Sequence, residues 1–188
     1  MVEAVEKACS GGVDMVQLRL KNVPASDFYQ SAKEIKAVLP EDIPFLINDR
    51  VDIAVAVGAD GVHLPELGLP VSLVREQMGE DAIVGRSVHS VEAALQAYRE
   101  GVDYLQVGTI FPTGCKPGHK GSGVVLLEEI RNVVGEMPII AIGGISEENA
   151  VMTVQAGANG VAVVSRILQA DDPSLAARHL KNRLTVSE

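Results

Sequence analysis

Tryptophan is absent, and with only three phenylalanines and three tyrosines the chain cannot be built around an aromatic core. Its 188 residues suit a single domain with a sizeable interior. That interior must come from the Val, Ile, Leu and Ala that dominate a 47% apolar composition. Such residues suit parallel strands, which are apolar on both faces. Positive charge is also scarce, with 16 Lys and Arg against 25 Asp and Glu and a net charge of -9. This argues against a nucleic-acid or anionic-membrane partner, since both need a basic surface. The two cysteines, Cys9 and Cys115, lie far apart without CxxC spacing, so neither a disulfide framework nor a zinc site is indicated. With no signal peptide and no apolar run of about 18 residues, the expected location is the cytoplasm.

Short aliphatic runs alternate with helical patterns along the whole chain. Strands are expected at 15–21, 45–49, 61–65, 83–89, 104–111, 138–144 and 160–167. Helical spacing marks 2–10, 26–39, 91–100, 124–134 and 147–156. Similar turns precede several strands (GVD before Met15, GADG before Val62, GVD before Tyr104, GANG before Val161). A glycine cap followed by a buried strand is the expected helix-to-strand connection, and its recurrence marks a βα repeat. No linker divides the sequence, so one domain over 1–188 is expected. The strand count is seven and the chain opens with a helix. The pattern fits a parallel (β/α)8 barrel lacking its first strand, or an open doubly wound sheet. The two exposed edges of an open barrel are association surfaces, compatible with a homo-oligomer.

For an acidic chain the cations are placed unusually. Arg19, Lys21, Arg50, Arg86, Lys116, Lys120 and Arg166 fall in or just after strands. The C-terminal strand ends form the active site of parallel α/β folds, so a basic floor there suggests a small anionic ligand. Gly143-Gly144 ends the sixth strand ahead of Ser146-Glu147-Glu148, which reads as a helix cap and acidic first turn. Together with Ser165 at the end of the seventh strand, it suggests a phosphate cradle. The long polar loop 109–123 reads as a lid or cradle, with Thr113 and Lys116 able to grip phosphate and His119 available as an acid or base. His63, in mid-strand, reads more simply as a satisfied barrel histidine, and His179 as a surface residue.

Taken together, VQLRLK, INDRVDIAVAVGADGVHL, VGRSVHS, DYLQVGTIFPTGCK, IIAIGGI and AGANGVAVVSRI resemble the thiamine phosphate synthase/TenI family, in order and over nearly the whole chain. The resemblance implies a TIM-type (β/α)8 barrel, its first strand normally preceding the helix that opens this sequence. It also implies a phosphorylated thiazole as substrate. By position, Gln17, Arg19 and Lys21 match the family's Q-x-R-x-K strand on the pyrophosphate side. Asn48 and Asp49 match its N-D pair, with Asp49 a magnesium ligand if the chemistry is synthase-like. Ser87 matches the serine of G-x-S-x-H, and Thr113 and Lys116 the P-T-x-x-K loop. Gly144, Val164 and Ser165 match the thiazole phosphate cradle.

Two departures bear on the activity. Gly68 stands where the synthases carry a second magnesium carboxylate, with Glu66 nearby. Thr109 stands where TenI carries a histidine. The first departure and the CKPG loop favour a TenI-type thiazole tautomerase without cofactor, with His119, His63 or Ser87 as catalytic groups. The alternatives are a magnesium-dependent thiamine phosphate synthase, and a non-catalytic ligand-binding barrel.

Overall fold

The computed structural model describes residues 1–114, 118 and 120–185. In chain order the elements are α1 (Val2–Ser10), β1 (Val16–Leu18), α2 (Ala25–Lys36), β2 (Phe45–Asn48), α3 (Val51–Val57) and β3 (Gly61–Leu64). They continue with α4 (Val71–Met78), β4 (Ile83–Val88), α5 (Val91–Arg99), β5 (Tyr104–Gly108) and α6 (Val125–Val134). The last are β6 (Ile139–Ile142), α7 (Ala150–Gln155), β7 (Gly160–Ala162), α8 (Ser165–Leu168) and α9 (Pro173–Thr185). The seven strands form one curled parallel sheet in the order β1-β2-β3-β4-β5-β6-β7. A doubly wound sheet reverses its strand order at a switch point, and this one does not. The winding is that of the barrel, with β1 and β7 as edges.

The aliphatic composition fills this frame as expected. Leu46, Val62, Leu64, Val84, Leu105, Val107, Ile139 and Ala141 are fully buried. On the helices, small residues such as Ala94 and Ala97 of α5 let the backbone approach the sheet. The side chain of Ser90 caps α5 by accepting from the Ala93 amide at 3.1 Å.

The recurrent turns have a specific job. Gly58, Gly101 and Gly157 all adopt positive φ, and two residues later comes Asp60, Asp103 or Asn159. Each side-chain oxygen accepts from an amide at the start of the strand before: Phe45 (2.8 Å), Val84 (2.7 Å) and Ile139 (2.9 Å). The backbone amides of the same three residues donate to the carbonyls of Phe45, Val84 and Ile139. A cation from a helix braces each turn: Lys36 on the Val57 and Gly58 carbonyls, Arg75 on Gly101 and Asp103, Arg131 on Gly157 and Asn159. The turn before β1 carries the same signature. There Lys181 of α9 donates to the Gly12 carbonyl (2.9 Å) and to Asp14 (2.6 Å). The four braces sit before β1, β3, β5 and β7, at every second position around a ring.

Several boundaries differ from expectation. Helix α7 begins at Ala150 rather than 147, because the Ser146 amide donates to Asn149 Oδ1 (2.8 Å) and Asn149 Nδ2 to the Gly144 carbonyl (3.0 Å). Residues 146–149 therefore form a turn, and Ser146 is not the helix cap. The seventh strand ends at Ala162, and the rest of that apolar run becomes α8.

Candidate functional site

A cleft of about 450 Å³ opens at the C-terminal ends of β1 to β4. Arg19 and Lys21 enter it beyond β1, Asn48, Asp49 and Arg50 at the end of β2, Glu66 beyond β3, Ser87 from β4 and His89 just beyond it. Residues up to 70 positions apart converge because parallel strands in sequential order all point the same way. Gln17 lies beside them and donates from Nε2 to Asn48 Oδ1 at 3.2 Å. Asp49 holds a left-handed φ of 66°, with its amide on the His63 carbonyl at 2.9 Å. Non-glycine residues in this region cost energy and cluster at functional sites. Among the described residues no hydrogen bond or ion pair engages the Asp49 carboxylate. Glu66 is held differently, its Oε2 accepting from the amide (2.8 Å) and Nδ1 (2.9 Å) of His89.

Beneath Ser87 lies a buried polar row. His63 Nε2 sits 2.8 Å from Ser87 Oγ, and Nδ1 sits 2.9 Å from the Tyr104 hydroxyl. Burial, assisted by the positive charge of Arg19, pushes the imidazole down to about 4, so the ring is neutral at physiological pH. Burial likewise pushes the Tyr104 hydroxyl up, keeping it protonated. The two rings stack with centroids 5.6 Å apart. Room for the phenol comes from Gly85, where a Cβ would lie 2.0 Å from Tyr104 Cζ. His63 thus acts on Ser87 from below and does not itself line the cleft.

The other expected residues fall elsewhere. Gly144 (φ 65°) and Gly143 (φ 103°) follow β6 and face the start of the β5–α6 loop. A Cβ on Gly144 would lie 2.4 Å from the Pro112 carbonyl, and one on Gly143 would lie 2.5 Å from Thr109 Cγ2. The glycine pair is therefore required by close loop packing, whatever it also binds. Thr113 lies in that loop, and Val164 is exposed at the start of α8. Ser165 lines a second cavity of about 460 Å³ with Glu147, Arg166 and Gln169. Lys116, Cys115 and His119 lie outside the described residues. Thr109 is buried, its carbonyl accepting from the Ser122 amide and hydroxyl.

Arg86 does not belong to the basic floor. Strand alternation turns it away from Gly85 and Ser87, and it bonds Glu100 (2.7 Å) and the Leu69 carbonyl (2.6 Å) on the other face of the sheet. Tyr104 was not foreseen, since an aromatic at the start of an apolar strand reads as core. The available signal was Gly85, because a glycine inside a strand marks a close approach.

Gly68 sits in a tight turn, with its amide on the Pro65 carbonyl (2.9 Å) and an added Cβ at 2.9 Å from Pro65 Cδ. Oxygen donors for a magnesium ion are nevertheless present in the cleft, in Asp49 and Glu66. Magnesium is commonly held by one or two carboxylates together with substrate phosphates, and this donor set fits that arrangement.

Comparison with known proteins covers most of the chain. A family model described as "Thiamine monophosphate synthase" matches residues 1–167. The chain is 45% identical over 179 residues to the thiamine-phosphate synthase of Clostridium tetani, covering 95% of this chain and 85% of that one. It is likewise 45% identical over 181 residues to that of Natronomonas pharaonis, with the same coverage of each. Among solved structures it is similar to a thiamine phosphate pyrophosphorylase from Pyrococcus furiosus, with TM-score 0.88 and 36% identity. That match covers 99% of this chain and 90% of the other. These names favour the synthase alternative over the tautomerase reading drawn from Gly68 and the CKPG loop.

Proposed function

The chain belongs to the thiamine monophosphate synthase family, and from that footing we propose that it is a thiamine-phosphate synthase. In this reading it joins hydroxymethylpyrimidine pyrophosphate to a thiazole phosphate in the cytoplasm, with residues 1–188 lying in one domain. The observation that carries the reading is the meeting of Arg19, Lys21, Asp49 and Ser87, from three strands, in one cleft.

The reaction breaks the C–O bond between the pyrimidine methylene and the pyrophosphate, and the electron pair leaves with the pyrophosphate oxygen. The thiazole nitrogen then supplies its lone pair to the pyrimidine cation, forming the C–N bond and a thiazolium product. The leaving group gains negative charge, and Arg19 and Lys21 offset it electrostatically in a partly enclosed site. Asp49, with Glu66, would hold magnesium, which when bound neutralises charge on the pyrophosphate. No proton need move to or from carbon. The thiazole phosphate is assigned to Gly144, Val164 and Ser165, with Thr113 and Lys116 on the phosphates, following the family pattern.

The test is coupling of the two substrates with and without magnesium, in wild type and Asp49→Ala. The variant is expected to lose about a hundredfold or more in rate, the scale seen when one electrostatic contact to a developing charge is removed. Unchanged turnover in Asp49→Ala would remove the assignment.

A further inference from the structure

The polar row beneath Ser87 has a direction. The Tyr104 hydroxyl is buried, carries one hydrogen, and among the described residues has one hydrogen-bond partner, His63 Nδ1 at 2.9 Å. Were Nδ1 to carry the imidazole proton, the phenolic hydrogen would be left without an acceptor inside the barrel, an arrangement folded proteins avoid. The phenol therefore donates to Nδ1. A neutral imidazole bears a single proton, so it then sits on Nε2 and is donated to Ser87 Oγ at 2.8 Å. With one lone pair of Oγ occupied from below, the hydroxyl hydrogen of Ser87 points away from the ring, toward the cleft it lines.

We propose that Tyr104 is a positioning residue which, through the tautomer of His63, fixes Ser87 as a hydrogen-bond donor to an anionic group bound beside Arg19 and Lys21. A hydroxyl held in this sense is free to donate to a phosphate oxygen. The opposite tautomer would present only lone pairs to the cleft, next to the same anion. The row is built into the sheet: His63 and Gly85 are register partners on β3 and β4, and the absent Cβ of Gly85 is the space the phenol occupies. Identification of the anion as a pyrophosphate rests on the synthase reading, whereas the direction of the row does not.

The full chain labelled with 15N at histidine tests the direction without any substrate. The His63 resonances are identified by their loss in His63→Gln. The expected spectrum has the proton on Nε2 in the wild type, and a mixture of both tautomers in Tyr104→Phe. A wild-type proton on Nδ1 overturns the proposal, even in a chain that proves inactive in coupling. In the coupling assay, Tyr104→Phe is expected to raise KM for the pyrophosphate substrate about fivefold, the scale of one lost hydrogen bond. The same change made in a Ser87→Ala background is expected to add nothing. Equal effects in both backgrounds would mean that Tyr104 acts on general packing, and would also overturn it.

Discussion

An imidazole enclosed between a phenol and a serine hydroxyl has no water to solvate a second proton. His63 is accordingly lowered from 6.5 to about 4, chiefly by burial. The unfolded chain takes up that proton near 6.5 while the folded protein refuses it. The associated stability is present above 6.5 and is lost as pH falls from there toward 4. Linkage puts the loss at roughly 2 kcal/mol between pH 7 and pH 5. Urea denaturation at both pH values should show wild type losing that much more than His63→Gln, whose side chain does not titrate; equal losses would contradict a neutral buried ring. At this scale much of the site was legible. Arg19, Lys21, Asp49 and Ser87 stand at strand ends, where the fold puts chemistry. Arg86 was misplaced because the phase of side-chain alternation cannot be read from charge alone. Tyr104 was missed because its hydroxyl finds a partner 41 positions away.

Strand and helix positions followed from periodicity, and all seven expected strands are present. Their C-terminal bounds ran long for a physical reason. Ile110 lies beyond β5 yet is 1% exposed, so a buried loop residue mimics the apolar signal of a strand. The turn repeats were visible as G-x-D and G-x-N, but the clamp they form needed coordinates. Asp103 receives the Val84 amide while Asn159 does the same for Ile139, so an amide oxygen suffices. Asp103→Ala should therefore cost about 1–3 kcal/mol, and Asp103→Asn less than half of that, by thermal or chemical unfolding. Equal losses would mean that charge, rather than the accepting oxygen, holds the turn. Gly85→Ala belongs to the same scale. Its Cβ would strike the Tyr104 ring, and overpacking of this kind typically costs about 1–3 kcal/mol. An unperturbed unfolding midpoint would show that the phenol moves freely.

Across the whole molecule, the braces from Lys36, Arg75, Arg131 and Lys181 mark alternate positions of a ring and hold the N-terminal side of the barrel. The opposite side is left to loops and chemistry, the division of labour typical of this fold. Barrel winding was one of two readings open to pattern alone, because strand order is a long-range property that local periodicity does not carry. The activity shows the same contrast of scales. Gly68 and the CKPG loop are local features and drew the reading toward a tautomerase, whereas similarity over 95% of the chain favours the synthase. Glu66 and Asp49 line the same cleft, so Gly68 alone does not decide between the two activities. The most direct measurement gives the purified chain both reactions in parallel: coupling of hydroxymethylpyrimidine pyrophosphate with thiazole phosphate, and aromatisation of the thiazole phosphate carboxylate tautomer. The account predicts magnesium-dependent formation of thiamine phosphate and aromatisation at the buffer rate. Accelerated aromatisation without magnesium, and no coupled product with it, would contradict the account.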